Sequence, residues 1–381
     1  MGINSQVDLE QASLKKDKRR EEGLSYWQLV WRKFKKDRAA LVAGIVLIIF
    51  YLTMVIFTEF FAPYQLENKF IRYINAPPQK IRFVDSEGKF HWRPFVYGLR
   101  QEVDRETFSR VYKEDTTKVY PIRFFVRGDS YKWLGIFPSD LHLIGTDAGG
   151  TVFLFGTDRQ GRDLLSRIMY GGRISLTIGL VGVSLSLCFG SVLGIVSGFY
   201  GGVVDNIIQR TIEFLTSFPA IPMWMALAAA LPPDWSSIKI YFGITIILSI
   251  IGWGGLARQI RGKVLALREE EYILAARTMG ASDADIIFTH LFPNCLSHII
   301  VSATLAIPGM ILGETSLSFL GLGIKPPMTS WGVLLQEGQN IRTVVQAPWL
   351  LIPVFFVIVT VLCFNFLGDG LRDSADPYSR L

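Results

Sequence analysis

Long apolar stretches constrain this chain more than any other feature of its sequence. A helix that crosses the hydrocarbon core of a bilayer needs roughly 20 mostly apolar residues. Six stretches approach or exceed that length, namely 39–61, 174–199, 211–231, 240–256, 296–319 and 349–367. We therefore predict an all-α polytopic membrane protein with six transmembrane helices. A long polar region, 62–155, separates the first predicted span from the others.

The composition agrees with this prediction and excludes an ordinary soluble enzyme. Only 19% of the 381 residues are charged, 50% are hydrophobic and the mean hydropathy is +0.33, whereas a soluble domain carries about 25% charged residues. The net charge of +6 is typical of basic cytoplasmic flanks and does not indicate nucleic-acid binding. Three Cys without a C-x-x-C pair and four scattered His support neither a disulfide framework nor a zinc site.

The second and third predicted spans differ in character. Small residues recur along 174–199 and allow close approach of neighbouring helices, so we expect this span inside a bundle. Pro219 and Pro222 interrupt the third span, and Pro308 interrupts the fifth; prolines are tolerated in membranes where neighbours satisfy the freed carbonyls. The first span follows a long basic region and has no small-residue cleavage site after it, so we interpret it as a retained helix.

Lys and Arg in the short flanks predict the orientation. Basic residues are frequent just before the first span and in the loop after the fourth span. The short loop 232–237, between the third and fourth spans, has none. We therefore expect both termini and the 258–294 loop to be cytoplasmic. Residues 1–38 then form a cytoplasmic tail, disordered over 1–24 and ending in an amphipathic surface helix at 26–34. Residues 368–381 form a second cytoplasmic tail.

The segment 62–155 is predicted to be a small, mostly β extracytoplasmic insertion. Strand-like runs at 81–84 and 89–92 flank a hairpin signal at 85–88. Further runs lie at 120–126, 141–144 and 151–155. His91 and His142 are interpreted as surface or packing histidines, because the region offers no catalytic constellation.

Residues 268–294 predict a helical hairpin in the loop after the fourth span. Three glutamates lie at the start of the first helix, where negative charge interacts favourably with the helix dipole. Gly280 occupies the C′ position just after the end of that helix. Ser282 and Asp285 have the spacing of a capping box, and Pro293 is expected to end the second helix. One apolar face is expected on the first helix, formed by Tyr272, Ala275, Ala276 and Met279. Such a face either docks on a soluble partner or packs on the chain's own helices, and composition leaves both open.

This loop resembles the EAA loop of permeases in ATP-binding-cassette importers. The shared pattern is Ala275-Ala276, then Gly280, then the run His290-Leu291-Phe292-Pro293, with Leu274 where the family has Glu. The stretches 155–176, 201–222 and 313–335 are similar to the second, C-type permease subunit of the oligopeptide, dipeptide and nickel branch. The match covers 155–381 and the first span, and the segment 62–155 is longer than in many relatives.

The resemblance implies a multi-pass subunit of a bacterial or archaeal cytoplasmic (inner) membrane, with a permease core at 156–367. Its partners would be a second homologous permease, two cytoplasmic ATP-binding subunits and an extracytoplasmic solute-binding protein. The chain itself would be no enzyme and bind no cofactor, because ATP and Mg belong to the ATPases; it has no G-x-x-x-x-G-K-[ST] loop. The residues implied in coupling to the ATPase are Tyr272, Ala275, Ala276, Gly280, Ala281, Asp283 and Pro293.

Charged residues beside spans are functional candidates. A cluster before the second span is interpreted as an outer gate, a contact for the binding protein or an ion-pair network; it contains Asp158, Arg159, Arg162, Asp163 and Arg167. Glu314 is expected to contact the solute pathway or the partner permease. Glu213 is expected to pair with Arg210. Trp331 and Trp349 are interpreted as interfacial anchors.

Three functional classes remain open from the residues alone. The first is a substrate-translocating importer subunit for oligopeptides or similar small solutes, with oligosaccharides as the alternative cargo. The second, a stand-alone secondary transporter, predicts paired half-repeats and midplane carboxylates, which the sequence does not show. The third is a membrane-anchored enzyme with its site in 62–155.

Overall fold

A computed structural model describes residues 26–103, 105, 110–146 and 149–375. The tail predicted to be disordered, 1–24, lies outside these residues. The helices are α1 (Tyr26–Phe34), α2 (Arg38–Phe50), α3 (Thr58–Phe61), α4 (Leu164–Tyr200), α5 (Gly202–Thr216), α6 (Ala220–Ala229), α7 (Ser237–Leu267), α8 (Glu271–Thr278), α9 (Asp283–Phe319), α10 (Trp331–Gln336), α11 (Ile341–Gln346) and α12 (Ile352–Ala375). Wider π turns occur at Tyr51–Ile56 and, within α9, at Ile286–Leu291, and short 3-10 turns at Ile71–Tyr73, Glu337–Gln339 and Pro348–Leu351.

Five helices of the described part of the chain are long and apolar enough to cross a membrane. They are Arg38–Ile56, Leu164–Tyr200, Ser237–Leu267, Asp283–Phe319 and Pro348–Ala375. Each of the last four is longer than the apolar run that predicted it, because the helix continues into polar turns beyond that run. The last helix continues to Ala375, so the predicted tail at 368–381 begins as helix.

The prediction of one continuous third span is wrong. The helices α5 and α6 meet at an angle of 86°, and they count as a sixth span only if the bent pair is taken together. Pro219 is the N-cap of α6 and Pro222 lies in its first turn. The missing N–H groups of these prolines cost nothing at a helix start, so the prolines begin a new helix there.

The first span begins at a side-chain cap and is held to the second by an ion pair. Asp37 accepts hydrogen bonds from the backbone N–H groups of Ala39 and Ala40 at 2.9 and 3.1 Å, which satisfies two otherwise free donors. At the other end Arg173 on α4 donates to both oxygens of Glu59 at 2.7 Å. Helix α1, predicted as amphipathic, is confirmed as a helix and packs on α12.

The small residues of α4 do lie inside the bundle, as predicted. A side chain at Gly194 would meet the backbone oxygen of Ala257 and the side chain of Ile260 on α7. The two long helices therefore approach each other through glycine positions. The main core lies where α4, α7, α9 and α12 meet, and Ile168, Leu176 and Ile311 are among its fully buried members.

Short helix α10 returns to the bundle between α9 and α12. Trp331 at its first position is fully buried, and its indole N–H donates to the backbone oxygen of Ile168 at 3.2 Å. The interpretation of Trp331 as an interfacial anchor is therefore wrong. Trp349 is half-buried and donates its indole N–H to the backbone oxygen of Thr157 at 3.0 Å, so it also serves internal packing.

The region 62–155 contains a four-stranded antiparallel meander, ordered β1-β2-β3-β4. The strands are β1 (Arg82–Val84), β2 (Phe90–Val103), β3 (Arg110–Trp133) and β4 (Phe137–Thr146). The hairpin signal at 85–88 is confirmed, and β3 is much longer than its predicted run. The predicted strand at 151–155 is wrong: this segment is irregular, and Val152 and Phe153 are buried against the sheet and nearby rings.

Candidate functional site

The loop at 268–294 folds into the predicted hairpin. Helix α8 ends at a Schellman motif: the N–H of Gly280 bonds to Arg277 O and the N–H of Ala281 to Ala276 O, both at 3.0 Å. Gly280 has φ +86°, a conformation that glycine adopts without strain. Ser282 and Asp285 then form the predicted capping box with reciprocal bonds of 3.2 and 3.3 Å.

The predicted apolar face of α8 is wrong in part. Ile273 and Ala276 are buried, three residues apart, whereas Tyr272, Ala275 and Met279 are exposed. Ile273 belongs to a cluster with Ile260 and Val264 of α7 and with Ile195 and Phe199 of α4. Ala276, placed at the centre of a docking face from the sequence, therefore packs against the chain itself. The i, i+3 spacing of Ile273 and Ala276 is the signal that could have indicated this.

Two arginines attach the hairpin to the end of α4. Arg268 donates from Nη1 to the backbone oxygen of Gly198 at 3.1 Å. The guanidinium of Arg277 lies 5.1 Å from the ring centroid of Phe199, within the range of a cation–π contact. Both contacts join the hairpin to the C-terminal end of α4.

The opposite side of the hairpin presents apolar side chains to solvent. Met279 is 82% exposed and Phe288 is 72% exposed, and Leu274 is also exposed. Glu269, Glu270 and Glu271 are exposed beside them. Large exposed apolar side chains next to charged ones are typical of a contact surface. The amide Nδ2 of Asn294 lies 3.4 Å from the hydroxyl of Tyr272, and partial burial raises the pKa of Tyr272.

The prediction that Pro293 ends the second helix is wrong. Helix α9 runs through it from Asp283 to Phe319. The π turn Ile286–Leu291 explains this, because the N–H of Phe292 bonds to Ile287 O, five residues back. Pro293 then occupies a first-turn position of the regular helix that follows, where a missing N–H is tolerated.

The charged cluster before α4 forms an ion-pair network. Arg162 and Arg167 both contact Oδ2 of Asp158, the former at 2.7 Å, and both contact Oε1 of Glu337, at 3.2 and 2.6 Å. Asp158 and Arg167 are buried, and Arg159 is exposed. The sequence did not identify Glu337, because its partners lie about 170 positions away.

Asp163 caps helix α4 beneath this network. Its Oδ2 accepts hydrogen bonds from the backbone N–H and the hydroxyl of Ser166, both at 2.7 Å. Burial away from water raises the pKa of Asp163 to about 7, against the opposing effect of those hydrogen bonds. Of the five charged residues of this cluster, only Arg159 is exposed. A cavity lined by Arg162, Lys325 and Glu337 lies beside them.

Two further acidic residues were singled out from the sequence. Glu314 is fully buried and accepts hydrogen bonds from the hydroxyls of Ser175 and Ser318 at 2.9 and 2.6 Å. The expectation that it faces the solute pathway or another subunit is therefore wrong for this conformation. Glu213 pairs with Arg210 at 2.6 Å on the surface, as expected.

Within the described ranges no three His, Cys, Asp or Glu side chains are grouped so that they could hold a metal ion. Both ring nitrogens of His142 lie near backbone oxygens of the chain itself: Nδ1 is 2.7 Å from Ala62 O and Nε2 is 3.0 Å from Asp129 O. His91 lies 2.8 Å from Asp85. The geometry thus offers buried ion pairs and exposed apolar side chains, among them Met279 and Phe288 of the 268–294 hairpin.

Comparison with known proteins identifies the class of the chain. Residues 190–380 match the family model "Binding-protein-dependent transport system inner membrane component". Residues 25–78 match the model "N-terminal TM domain of oligopeptide transport permease C". The resemblance seen in the sequence is therefore confirmed at both ends of the chain.

Curated relatives agree. The dipeptide transport system permease protein DppC of Bacillus subtilis is 31% identical over 99% of this chain and 95% of its own length. The oligopeptide transport system permease protein OppC of Haemophilus influenzae is 45% identical over 59% of this chain and 70% of its own length. OppC of Escherichia coli is 43% identical over 59% of this chain and 72% of its own length. The chain belongs to the family of inner membrane components of binding-protein-dependent transport systems, as a permease subunit of an ATP-binding-cassette importer.

Proposed function

We propose that this permease subunit forms half of a translocation pathway for oligopeptides or dipeptides. The relatives that share its whole length or its C-terminal core are named as dipeptide and oligopeptide permeases. A second, similar permease completes the pathway, two cytoplasmic ATP-binding subunits drive it, and an extracytoplasmic binding protein delivers the solute. Ligand extracted from the co-purified binding protein tests the cargo: bound peptide supports this class, and bound oligosaccharide would replace it with the alternative cargo.

The single observation that carries the coupling role is the two-sided character of the 268–294 hairpin. One side is buried through Ile273 and Ala276, and the other exposes Leu274, Met279 and Phe288. A surface with this division transmits force, because it contacts a partner on one side and the bundle on the other. ATP binding biases the bundle only through contacts that differ between its two states.

We place the ATPase contact on the exposed residues of the hairpin: Tyr272, Leu274, Ala275, Met279, Gly280, Asp283 and Phe288. Ala281 is half-buried at its corner, Ala276 is buried, and Pro293 is exposed at the start of the regular helix that follows. The inward-facing position of this surface follows from the proposed topology, in which both termini are cytoplasmic. An impermeant maleimide should label Ser86→Cys but not Met279→Cys in intact spheroplasts, and the reverse pattern would invert the topology.

Gly280→Val tests the coupling. A β-branched residue at φ +86° is strained and should distort the corner while leaving the bundle intact. We expect uptake by the assembled transporter to fall at least about tenfold, while ATP turnover continues, because binding energy no longer reaches the membrane helices. Gly88→Val is the matched control, since Gly88 has φ +82° and open space around it in the β1–β2 turn. Equal uptake by the two variants would contradict the role of the hairpin.

A stand-alone transporter is the competing function. Purified alone and reconstituted in vesicles, this chain should move no peptide, because half of the pathway and the ATPases are missing. Cross-links from Met279→Cys should reach an ATP-binding subunit in the complete complex. Solute movement by the isolated chain, together with the lack of such cross-links, would support the competing function.

At the opposite end, we propose that Arg159 contacts the extracytoplasmic binding protein. It is the exposed member of the cluster whose other residues, Asp158, Arg162 and Asp163, fix the loop that carries it. Arg159→Ala should raise the concentration of binding protein needed for half-maximal uptake and leave the maximal rate unchanged. An unchanged concentration dependence would exclude this contact.

A further inference from the structure

The turn between β3 and β4 exposes a group of apolar side chains. Leu134 is 53% exposed, Ile136 is 72% exposed and Phe137 is 57% exposed. Gly135, with φ +75°, forms the corner between them. Hairpin turns in water usually carry polar residues and rarely group large apolar ones. This turn therefore indicates an apolar environment.

The turn lies beside the end of the first membrane span. The indole N–H of Trp133, the last residue of β3, donates to the backbone oxygen of Ile56 at 2.8 Å. The ring of Phe57 stacks on Trp133 with centroids 5.3 Å apart and an interplanar angle of 9°. Ile56 is the final residue of the span Arg38–Ile56. The tip of the hairpin is thus attached to the point where the chain leaves the membrane.

Three contacts show which way the hairpin points. Near its base, His142 Nδ1 lies 2.7 Å from the backbone oxygen of Ala62, and Phe125 packs 6.1 Å from the ring of Phe60. At its tip, Trp133 contacts Ile56. As the hairpin extends toward its tip, its partners therefore run backward along the chain, from Ala62 to Ile56. The tip points back toward the bilayer.

We propose that the β3–β4 turn inserts into the lipid leaflet at the C-terminal end of the first span. The occupant of the exposed apolar surface is then the interfacial region of the bilayer. Continuity with the span supports this choice over a protein partner, because Leu52 and Phe57 of that end are also exposed beside the turn. Tryptophan, the residue at position 133, is enriched at this level of membranes.

Charge around the turn agrees with a lipid surface. Lys132 is exposed next to the turn, and basic residues near a membrane are attracted to anionic headgroups. The hairpin would act as a second attachment of the β region to the membrane, in addition to its covalent connection. The inference depends on the first span crossing a bilayer and does not depend on the cargo or on the ATPase contact.

A fluorescent reporter tests this directly. Ile136→Cys is labelled with an environment-sensitive fluorophore in a full-length variant whose three native cysteines are replaced by alanine. The protein is assembled with its partner subunits in vesicles of phosphatidylcholine and phosphatidylglycerol. Val111→Cys is the matched control, because Val111 is exposed at the opposite end of β3. Doxyl-labelled lipid and iodide, present on both faces of the vesicles, serve as quenchers.

Insertion predicts opposite responses at the two sites. Quenching by doxyl lipid should be roughly threefold or more stronger for the reporter at position 136 than for the reporter at position 111. Quenching by iodide should be stronger at position 111 than at position 136. Strong iodide quenching at 136 would place the turn in water and overturn the proposal. Weak quenching by both agents would mean that protein covers the turn, which also overturns it. Leu134→Cys provides a second reporter if the first variant assembles poorly.

Discussion

The guanidinium of Arg261 on α7 donates two hydrogen bonds to the carboxylate of Asp205 on α5, at 2.6 and 2.5 Å. The hydroxyl of Ser197 on α4 donates to the same carboxylate at 2.5 Å. Three helices are therefore joined at one side chain, close to Gly198, where Arg268 reaches the bundle from the 268–294 hairpin. A bidentate arginine–carboxylate pair fixes orientation as well as distance.

Breaking this pair should lower the stability of the bundle. In Arg261→Gln the carboxylate of Asp205, whose side chain is only 17% exposed, loses its charged partner. We expect a loss of about 1–3 kcal/mol, in the range for hydrogen bonds to charged groups. The measurement is thermal unfolding of the detergent-solubilised protein followed by circular dichroism.

The control for this prediction is the exposed pair of Arg210 and Glu213. Its side chains are 75% and 54% exposed, and such surface pairs contribute little. Glu213→Gln should therefore leave the unfolding temperature unchanged. The double variant Asp205→Asn with Arg261→Gln should lose less than the sum of its single variants; full additivity would show that the two groups do not interact.

Much of the membrane architecture could be predicted because hydropathy and helix length depend on local sequence. The five long helices, the capping box at Ser282 and the C′ role of Gly280 follow from short-range rules. The prediction of the third span failed because the residues on both sides of the break between Thr216 and Ala220 are apolar, so hydropathy does not reveal the break. Composition alone cannot distinguish a weakened helix from two helices that meet at a sharp angle.

The parts that failed depend on partners distant in sequence. The sequence indicates an interfacial position for Trp331, but α10 returns into the bundle, where the indole of Trp331 donates to the backbone oxygen of Ile168. Glu337 has no sequence signal linking it to Arg162 or Arg167. Glu314 reads as a lone membrane carboxylate, but hydroxyls of α4 and α9 satisfy it. The environment of each of these three residues is set by contacts between different helices. The residue pattern along one helix carries no information about such contacts.

Adjacent residues of α8 should respond oppositely to the same substitution. Leu274 is exposed, so Leu274→Glu, which introduces the family's usual residue, should change the unfolding free energy by less than about 0.5 kcal/mol. Ile273 is fully buried, so Ile273→Glu would place an unpaired carboxylate in an apolar cluster. We expect at least about 3 kcal/mol of destabilisation or failure to accumulate in the membrane. Membrane abundance and thermal unfolding measure both; similar behaviour would contradict the assigned faces of α8.

Asp163 should make stability depend on pH. Its pKa is raised to about 7 by burial, above the ordinary value of 3.8, so the folded state holds this proton more tightly than the unfolded state. The contribution of the protonated Asp163 carboxyl to the free energy of unfolding is complete below about pH 4 and is lost as the pH rises through about 7. Wild type should therefore lose stability relative to Asp163→Asn between pH 5 and pH 8, as measured by unfolding temperature.

The control for the pH dependence is Asp115→Asn in β3. Hydrogen bonding to Thr117 lowers the pKa of Asp115, so the contribution of this carboxylate to stability is already complete at pH 5 and should stay constant up to pH 8. A parallel loss in both comparisons would assign the pH effect to other groups. No difference between wild type and Asp163→Asn would show that the capping hydrogen bonds outweigh burial.

The close contact of α4 and α7 predicts a sharp difference between two glycines. Gly194→Val would place side-chain atoms against Ala257 O and Ile260, whereas Gly255 on α7 has open space around it. Overpacking of a well-packed interface costs about 1–3 kcal/mol, so Gly194→Val should unfold at lower temperature and support less uptake. Gly255→Val should match wild type, because it removes a flexible residue from a helix without a clash. If both variants unfold like wild type, the helices must separate easily at this point, and the hairpin would then be displaced without moving the bundle as one body.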